Sequence, residues 1–284
     1  MTSSTSRSTR FSILAAALST VVMFATSFAA HAQDSTPQPL WEIGAGLLAA
    51  SQQAYPGAAQ RVGRRLVFPY VIYRGKFLRA DRDGLGLVAV KTSQYELDIG
   101  FAGAFGSDSN DIEARRGMPN LGTLIEFGPR LKWTLAESPA NGRLRADLAI
   151  RGVFDLSDGF SNKGISVEPQ LVYQWDSGAW RYNASAGLIL GNQRLADTFY
   201  GVAPIHATAS RPTYSAESGL VAVRLGANLS RQISPRVRLF GFVQLDSLAG
   251  AANNASPLVQ KRTGSTIGVG LIYTFARSET LVSN

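Results

Sequence analysis

Between Arg143 and Asp155 the side chains change character at nearly every step, and this alternation narrows the possible folds more than any other feature. Arg143, Arg145, Asp147, Arg151 and Asp155 share one parity, while Leu144, Ala146, Leu148, Ile150 and Phe154 share the other. A repeat of two residues belongs to an extended strand with one charged face and one apolar face. One such strand fits a soluble sandwich equally well. Repetition of the pattern along an exported chain points instead to strands that turn their apolar face to lipid.

Export is read from the N-terminus. Arg7 and Arg10 precede an apolar run from Phe11 to Ala30, and Ala30-His31-Ala32 supplies a small-x-small cleavage pattern, which places the cut before Gln33. The rival reading is an uncleaved anchor; position, basic flank and cleavage site favour a removable signal over residues 1–32. After Ala32 no run of about 18 apolar residues survives without a charge or a turn, which excludes a helical membrane protein. Cysteine is absent, so disulfides, thiolate nucleophiles and cysteine metal sites are excluded. The formal charge of +8 does not signal nucleic acid, because the chain is exported and its basic residues are scattered singly. They read as lumen lining, and as contacts to lipopolysaccharide phosphates or anionic wall polymer.

Twelve strand-like segments can be marked. They begin with about 40–48, 66–73, the short 76–80, 85–91, 95–105 and 123–135. The alternating 143–155 follows, then about 165–175, 180–190, 221–229, 237–246 and 266–275. Most have about 9 to 13 residues, enough to cross a bilayer when tilted. Long connections at 51–64, 106–120, 191–216 and 249–263 alternate with tight ones at Arg74-Gly75, Thr92-Ser93, 139–142, 176–178 and Ser234-Pro235. With the mature N-terminus in the periplasm, every tight turn is periplasmic and every long loop extracellular, as outer-membrane barrels require. Trp41, Trp133, Trp175, Trp180, Tyr173 and Tyr182 lie near strand ends, where aromatic rings sit at a lipid–water boundary. The expectation is an all-β fold, a single antiparallel transmembrane barrel of twelve strands. Ten or fourteen are the alternatives if the short third segment is misassigned. The barrel spans 33–276, and 277–284 form a short periplasmic tail.

Several strings resemble the MipA/OmpV family of outer-membrane proteins. Arg116-Gly117-Met118-Pro119-Asn120-Leu121-Gly122, followed by Glu126-Phe127-Gly128-Pro129, is similar to that family's loop-to-strand signature. Asp197-Thr198-Phe199-Tyr200-Gly201-Val202 resembles its aromatic motif in the large outer loop. Gly270-Leu271-Ile272-Tyr273-Thr274-Phe275 resembles the signal read by the barrel-assembly machinery. The chain departs from it by continuing past Phe275 to Asn284. The resemblance implies a scaffold in the outer membrane, bridging a lytic transglycosylase and a murein synthase. Other members are associated with osmotic adaptation or adhesion. No motif of the family marks partner-contact residues, so none is assigned here.

Chemistry finds little purchase. After signal removal His206 is the one histidine, in a long loop with Pro204, Ser210 and Tyr214, and no nucleophile–base–orienter set accompanies it. Asp108, Asp111 and Glu113 offer carboxylates to a divalent cation, but their spacing is not that of an EF-hand. Asp81, Asp83 and Asp197 are rim acids of the kind that serve turns. The sequence therefore nominates no catalytic, cofactor or metal residue. Glu96, Asp98, Glu126, Arg130, Lys132, Arg143, Arg145, Asp147, Arg151, Glu168, Arg181, Arg224 and Arg238 fall on the inward parity. They either pair and fill a narrow barrel or line a small-solute, mildly anion-preferring pore. A third reading is surface adhesion through the loop holding Tyr200 and Tyr214.

Overall fold

The computed structural model describes residues 37–74, 78–81, 84–138 and 142–282. The signal expected at 1–32 and the cut expected before Gln33 lie outside the described residues. So do the turn residues Gly75, Arg82, Asp83 and Pro139-Ala140-Asn141, the start of the third segment at Lys76, and Ser283-Asn284.

Alternating sequence gives strands: β1 (Gln38–Pro39), β2 (Trp41–Gln53), β3 (Arg61–Arg74), β4 (Leu78–Asp81), β5 (Gly84–Lys91), β6 (Tyr95–Ala104) and β7 (Leu124–Ser138). They continue with β8 (Gly142–Asp155), β9 (Ser161–Ser177), β10 (Trp180–Gly191), β11 (Gly219–Ser234), β12 (Val237–Ser247), β13 (Thr263–Arg277) and β14 (Leu281–Val282). The fold is all-β, an antiparallel sheet curled upon itself. Each strand from β2 to β13 pairs with the next, and β13 pairs back with β2, so the ring of ladders closes. Among the described residues no helix is long and apolar enough to cross a membrane.

The strands run further than their hydropathy indicates. β9 reaches Ser161 and β11 reaches Ser234, because backbone pairing continues past the last apolar residue. The loop expected at 51–64 shrinks accordingly to 54–60. Connections β2–β3, β6–β7, β8–β9, β10–β11 and β12–β13 gather at one rim, the loop end. The opposite ends of these strands gather at the other, the tight-turn end. At the tight-turn end β1 pairs with β14, joining the two described termini in a separate ladder that the sequence did not announce.

The sheet is inside out relative to a water-soluble protein. Ile43, Leu47, Val71, Leu131, Ile150, Leu171, Leu225, Val269 and Leu271 are exposed on the outer face, whereas Asp98, Arg130, Lys132, Asp147, Arg151 and Arg238 are buried inside. A belt of large apolar side chains on this scale is unstable in water and matches hydrocarbon. Aromatic rings gather toward both ends of the wall. Trp180, Tyr182, Trp175 and Tyr173 stack in series toward the tight turns, and Phe101, Phe127, Phe154 and Phe160 toward the loops.

The interior has two unlike flanks. β6 to β11 present charged and amide side chains, while β2, β3, β12 and β13 add aromatic rings over glycine to the charges of Arg238 and Asp246. A Cβ at Gly46 would stand 2.1 Å from the Phe68 ring, at Gly268 2.4 Å from Phe242, and at Gly270 2.3 Å from Phe240. These glycines leave the room in which inward phenyl groups lie flat across neighbouring strands.

Candidate functional site

The lumen is the site, and strand register builds it. Directly opposed pairs across the β6–β7 ladder include Glu96 with Lys132 and Asp98 with Arg130. Arg130 Nε donates to Asp98 Oδ1 at 2.9 Å and a second guanidinium nitrogen donates to Oδ2 at 2.5 Å. Lys132 Nζ stands 2.8 Å from Glu96 and 3.0 Å from Asp98. On β8, Arg145 Nε donates to Asp147 Oδ1 at 2.8 Å and its other arm reaches Gln174.

A second group lies nearer the loop end. Arg151 stands 2.7 Å from Glu168 and 3.8 Å from Glu126, and Ser166 Oγ donates to Glu126 at 3.0 Å. Across the β11–β12 ladder Arg224 grips Asp246 with two bonds of 2.7 Å. Buried pairs of this kind contribute little net stability. Removing one member strands the other at a cost of about 3–5 kcal/mol.

Of the thirteen inward charges read from the sequence, the structure brings most into these groups. Arg143 departs from the set: it pairs with Glu137, with both side chains about half exposed (51% and 54%), because its strand has reached the rim there. Arg181 pairs with Asp176 near the same rim. Arg238 is buried and donates to Gln232 at 3.0 Å and to the Tyr70 hydroxyl at 3.2 Å, both neutral groups.

Above the lumen the long loops fold together into a roof, which sequence reading missed. One apolar cluster takes Ala54, Tyr55 and Ala58 from the β2–β3 loop and Ile112, Met118 and Leu121 from the β6–β7 loop. Val202 joins it from the β10–β11 loop and Leu258 from the β12–β13 loop. Loops rooted around the ring thus meet over its mouth. A helix, α1 (Gln193–Tyr200), supplies Ala196 and Tyr200 to a second cluster. Its N-cap Asn192 accepts from Leu195 N–H and, across the loop, from Ile165 N–H. The spacing of Leu195, Ala196 and Phe199 was the available signal for this helix, in a loop too short in apolar residues to stand out.

Charge is buried in the roof as well. Arg115 lies 5.7 Å over the Tyr55 ring and donates to the carbonyls of Pro119, Thr198 and Phe199. Burial pulls its pKa down to about 10, so the guanidinium stays charged at neutral pH. Burial pushes the Tyr55 phenol up to about 12, with Arg115 acting against that, and raises Tyr200 in the same direction.

Several of the loop residues weighed for chemistry have structural roles. Asp197 Oδ1 accepts from Ala216 N–H at 2.8 Å, and Asp108 caps a short 3-10 turn. Among the described residues Asp108, Asp111 and Glu113 do not gather into a group that could hold a metal ion. His206 holds two bonds from Arg211 on its backbone carbonyl and borders a depression of about 700 Å3 in the roof. Asp81 lies in β4 and Asp83 outside the described residues.

A family model described as MltA-interacting protein MipA matches residues 43–275. The chain belongs to the MipA family. The strings that carry the MipA resemblance are where the roof is made: Met118, Leu121, Tyr200 and Val202 are all buried in its clusters. Comparison with curated proteins found no match. Solved structures that align include the NanC porin, 10% identical over 81% of this chain and 98% of that one, with TM-score 0.40. An active-site variant of outer membrane phospholipase A from Escherichia coli is 13% identical over 86% and 94%, with TM-score 0.36. An outer membrane channel from Pseudomonas putida F1 is 13% identical over 87% and 100%, with TM-score 0.37. All three scores fall below 0.5, and no function is carried over from these proteins.

Proposed function

We propose that this MipA-family chain is a single twelve-strand barrel of the outer membrane that acts as a non-catalytic scaffold for peptidoglycan-remodelling enzymes. Residues 1–32 are the removed signal, 33–276 the barrel and 277–284 a periplasmic tail. The partners are a lytic transglycosylase and a murein synthase, held at the tight-turn end. The observation that carries this reading is the family match over 43–275, whose description is that of a protein interacting with MltA.

Two structural features support it. The exposed apolar belt fits a lipid surround, and a groove of about 550 Å3 is lined by Leu225 and Leu245 together with Arg61 and Lys261, a lining suited to acyl chains and headgroup phosphates of lipopolysaccharide. The roof weighs against an open conduit, since four loops share one apolar cluster over the mouth. Affinity capture of the folded barrel from solubilised envelopes tests the scaffold. Enrichment of either enzyme class supports it, and neither rising above background overturns it.

A further inference from the structure

The half of the lumen toward the tight turns is not filled. A cavity of about 470 Å3 remains there, bounded by residues of β3, β7 to β10 and β11 to β13. That is within the size range of sites that take a small organic molecule, ~300–1,000 Å3. Three features of its lining point to a ligand of particular chemistry.

The first is a pair of stranded acceptors. Asp147 is 3% exposed; its Oδ1 is held by Arg145, while its Oδ2 is buried and meets no donor among the described residues. Asn183 Oδ1, two strands away on the same inner face, is in the same position. A buried acceptor left without a donor costs about 1–3 kcal/mol, so each calls for an O–H or N–H from an occupant.

The second is a cation with no carboxylate at ion-pair distance among the described residues. Arg238 lines the cavity, is 8% exposed, and donates to Gln232 and Tyr70, which are neutral. The other buried arginines of the lumen, Arg130 and Arg151, face carboxylates. An incoming anion completes Arg238 with a charge-assisted bond. The third is an aromatic wall: Phe240 and Phe242 present rings to the same cavity, held there by the glycines opposite.

We propose that this cavity binds a small anionic saccharide. Its carboxylate meets Arg238, hydroxyl or amide N–H groups donate to Asp147 Oδ2 and Asn183 Oδ1, and a C–H face of the sugar ring lies on the phenyl wall. A plain inorganic anion would satisfy Arg238 and leave both acceptors stranded. A neutral sugar would do the reverse. With the roof closed over the loop end, entry is from the tight-turn side. The inference stands apart from the scaffold reading, since it needs no protein partner.

The test uses the signal-free chain, folded in detergent, with D-glucuronate, D-glucose and acetate as probes in ligand-observed NMR and calorimetric titration. Glucuronate is expected to bind, roughly tenfold more tightly than glucose, with acetate weaker than either. Arg238→Gln should lose roughly tenfold for glucuronate and little for glucose. Asn183→Ala, which leaves every ion pair in place, should weaken both sugars and spare acetate. Folding of each variant is checked by the mobility shift between heated and unheated samples. If Arg238→Gln fails to fold, Asn183→Ala and the probe series decide alone. No binding of glucuronate at millimolar concentration, or acetate binding as tightly, overturns the proposal; so does an unchanged sugar affinity in Asn183→Ala.

Discussion

Single side chains in the roof decide how the loop end responds to pH. The Tyr55 hydroxyl donates to Leu258 O at 2.7 Å and is shut away from water, and burial raises its pKa from 10.0 to about 12. Between those values the folded chain keeps a proton that the unfolded chain has released. Its contribution is therefore whole below pH 10 and is lost as pH climbs toward about 12. Arg115, lowered by burial to about 10, has the opposite sign, because there the unfolded chain holds the proton longer. Tyr200 is raised as well, so two phenols oppose one guanidinium and stability should fall with alkalinity. Replacing Tyr55 with Phe should flatten that fall by about 2 kcal/mol across the window. Thermal unfolding in detergent at stepped alkaline pH measures it, and an unchanged slope in Tyr55→Phe would count against the assignment. None of this was legible in the sequence, where Tyr55 and Arg115 stand in separate loops with nothing to pair them.

Among the elements, α1 shows how a short helix persists in an outer loop. Eight residues are too few to hold a helix in isolation. It survives because Leu195, Ala196 and Tyr200 bury one side and Asn192 accepts two backbone N–H groups, one of them from β9. Asn192→Ala leaves both donors without that acceptor, at a cost of about 1–2 kcal/mol. The variant should be cut faster by trypsin at Arg194 or Arg211 while the strands stay resistant, and Asn192→Asp should restore the native rate. Equal cleavage of wild type and Asn192→Ala would remove the cap from this account. The strands were easier to foresee than the helix. Alternation in β8 needs no partner to be seen, whereas the helical face of α1 acquires meaning only from the loops packed on it.

The whole molecule combines a wall with an exposed apolar belt and loops that pack together at one end. Buried cross-strand ion pairs stiffen the β6–β9 side of the lumen, and the four-loop cluster covers its mouth. Planar bilayers holding the intact chain should therefore stay electrically quiet. Replacing residues 193–217 with a short Gly-Ser linker should open steady currents, since Ala196, Tyr200, Val202 and Ala216 leave the roof clusters together. Sustained conductance of the intact chain would show that the loops do not seal the mouth.

The alternating segments, and the long and tight connections between them, were determined by the sequence alone, because strand periodicity and turn chemistry are local. So was the inward parity of the charges. Which charge meets which was not, because partners such as Arg224 and Asp246 are set by register, and register is a property of two strands at once. Tertiary structure alone decided that Arg143 lies at the rim, that Arg238 has neutral neighbours, and that loops far apart in the chain converge on one apolar cluster. Those outcomes depend on how a closed sheet positions distant residues, and no window of the chain contains that geometry.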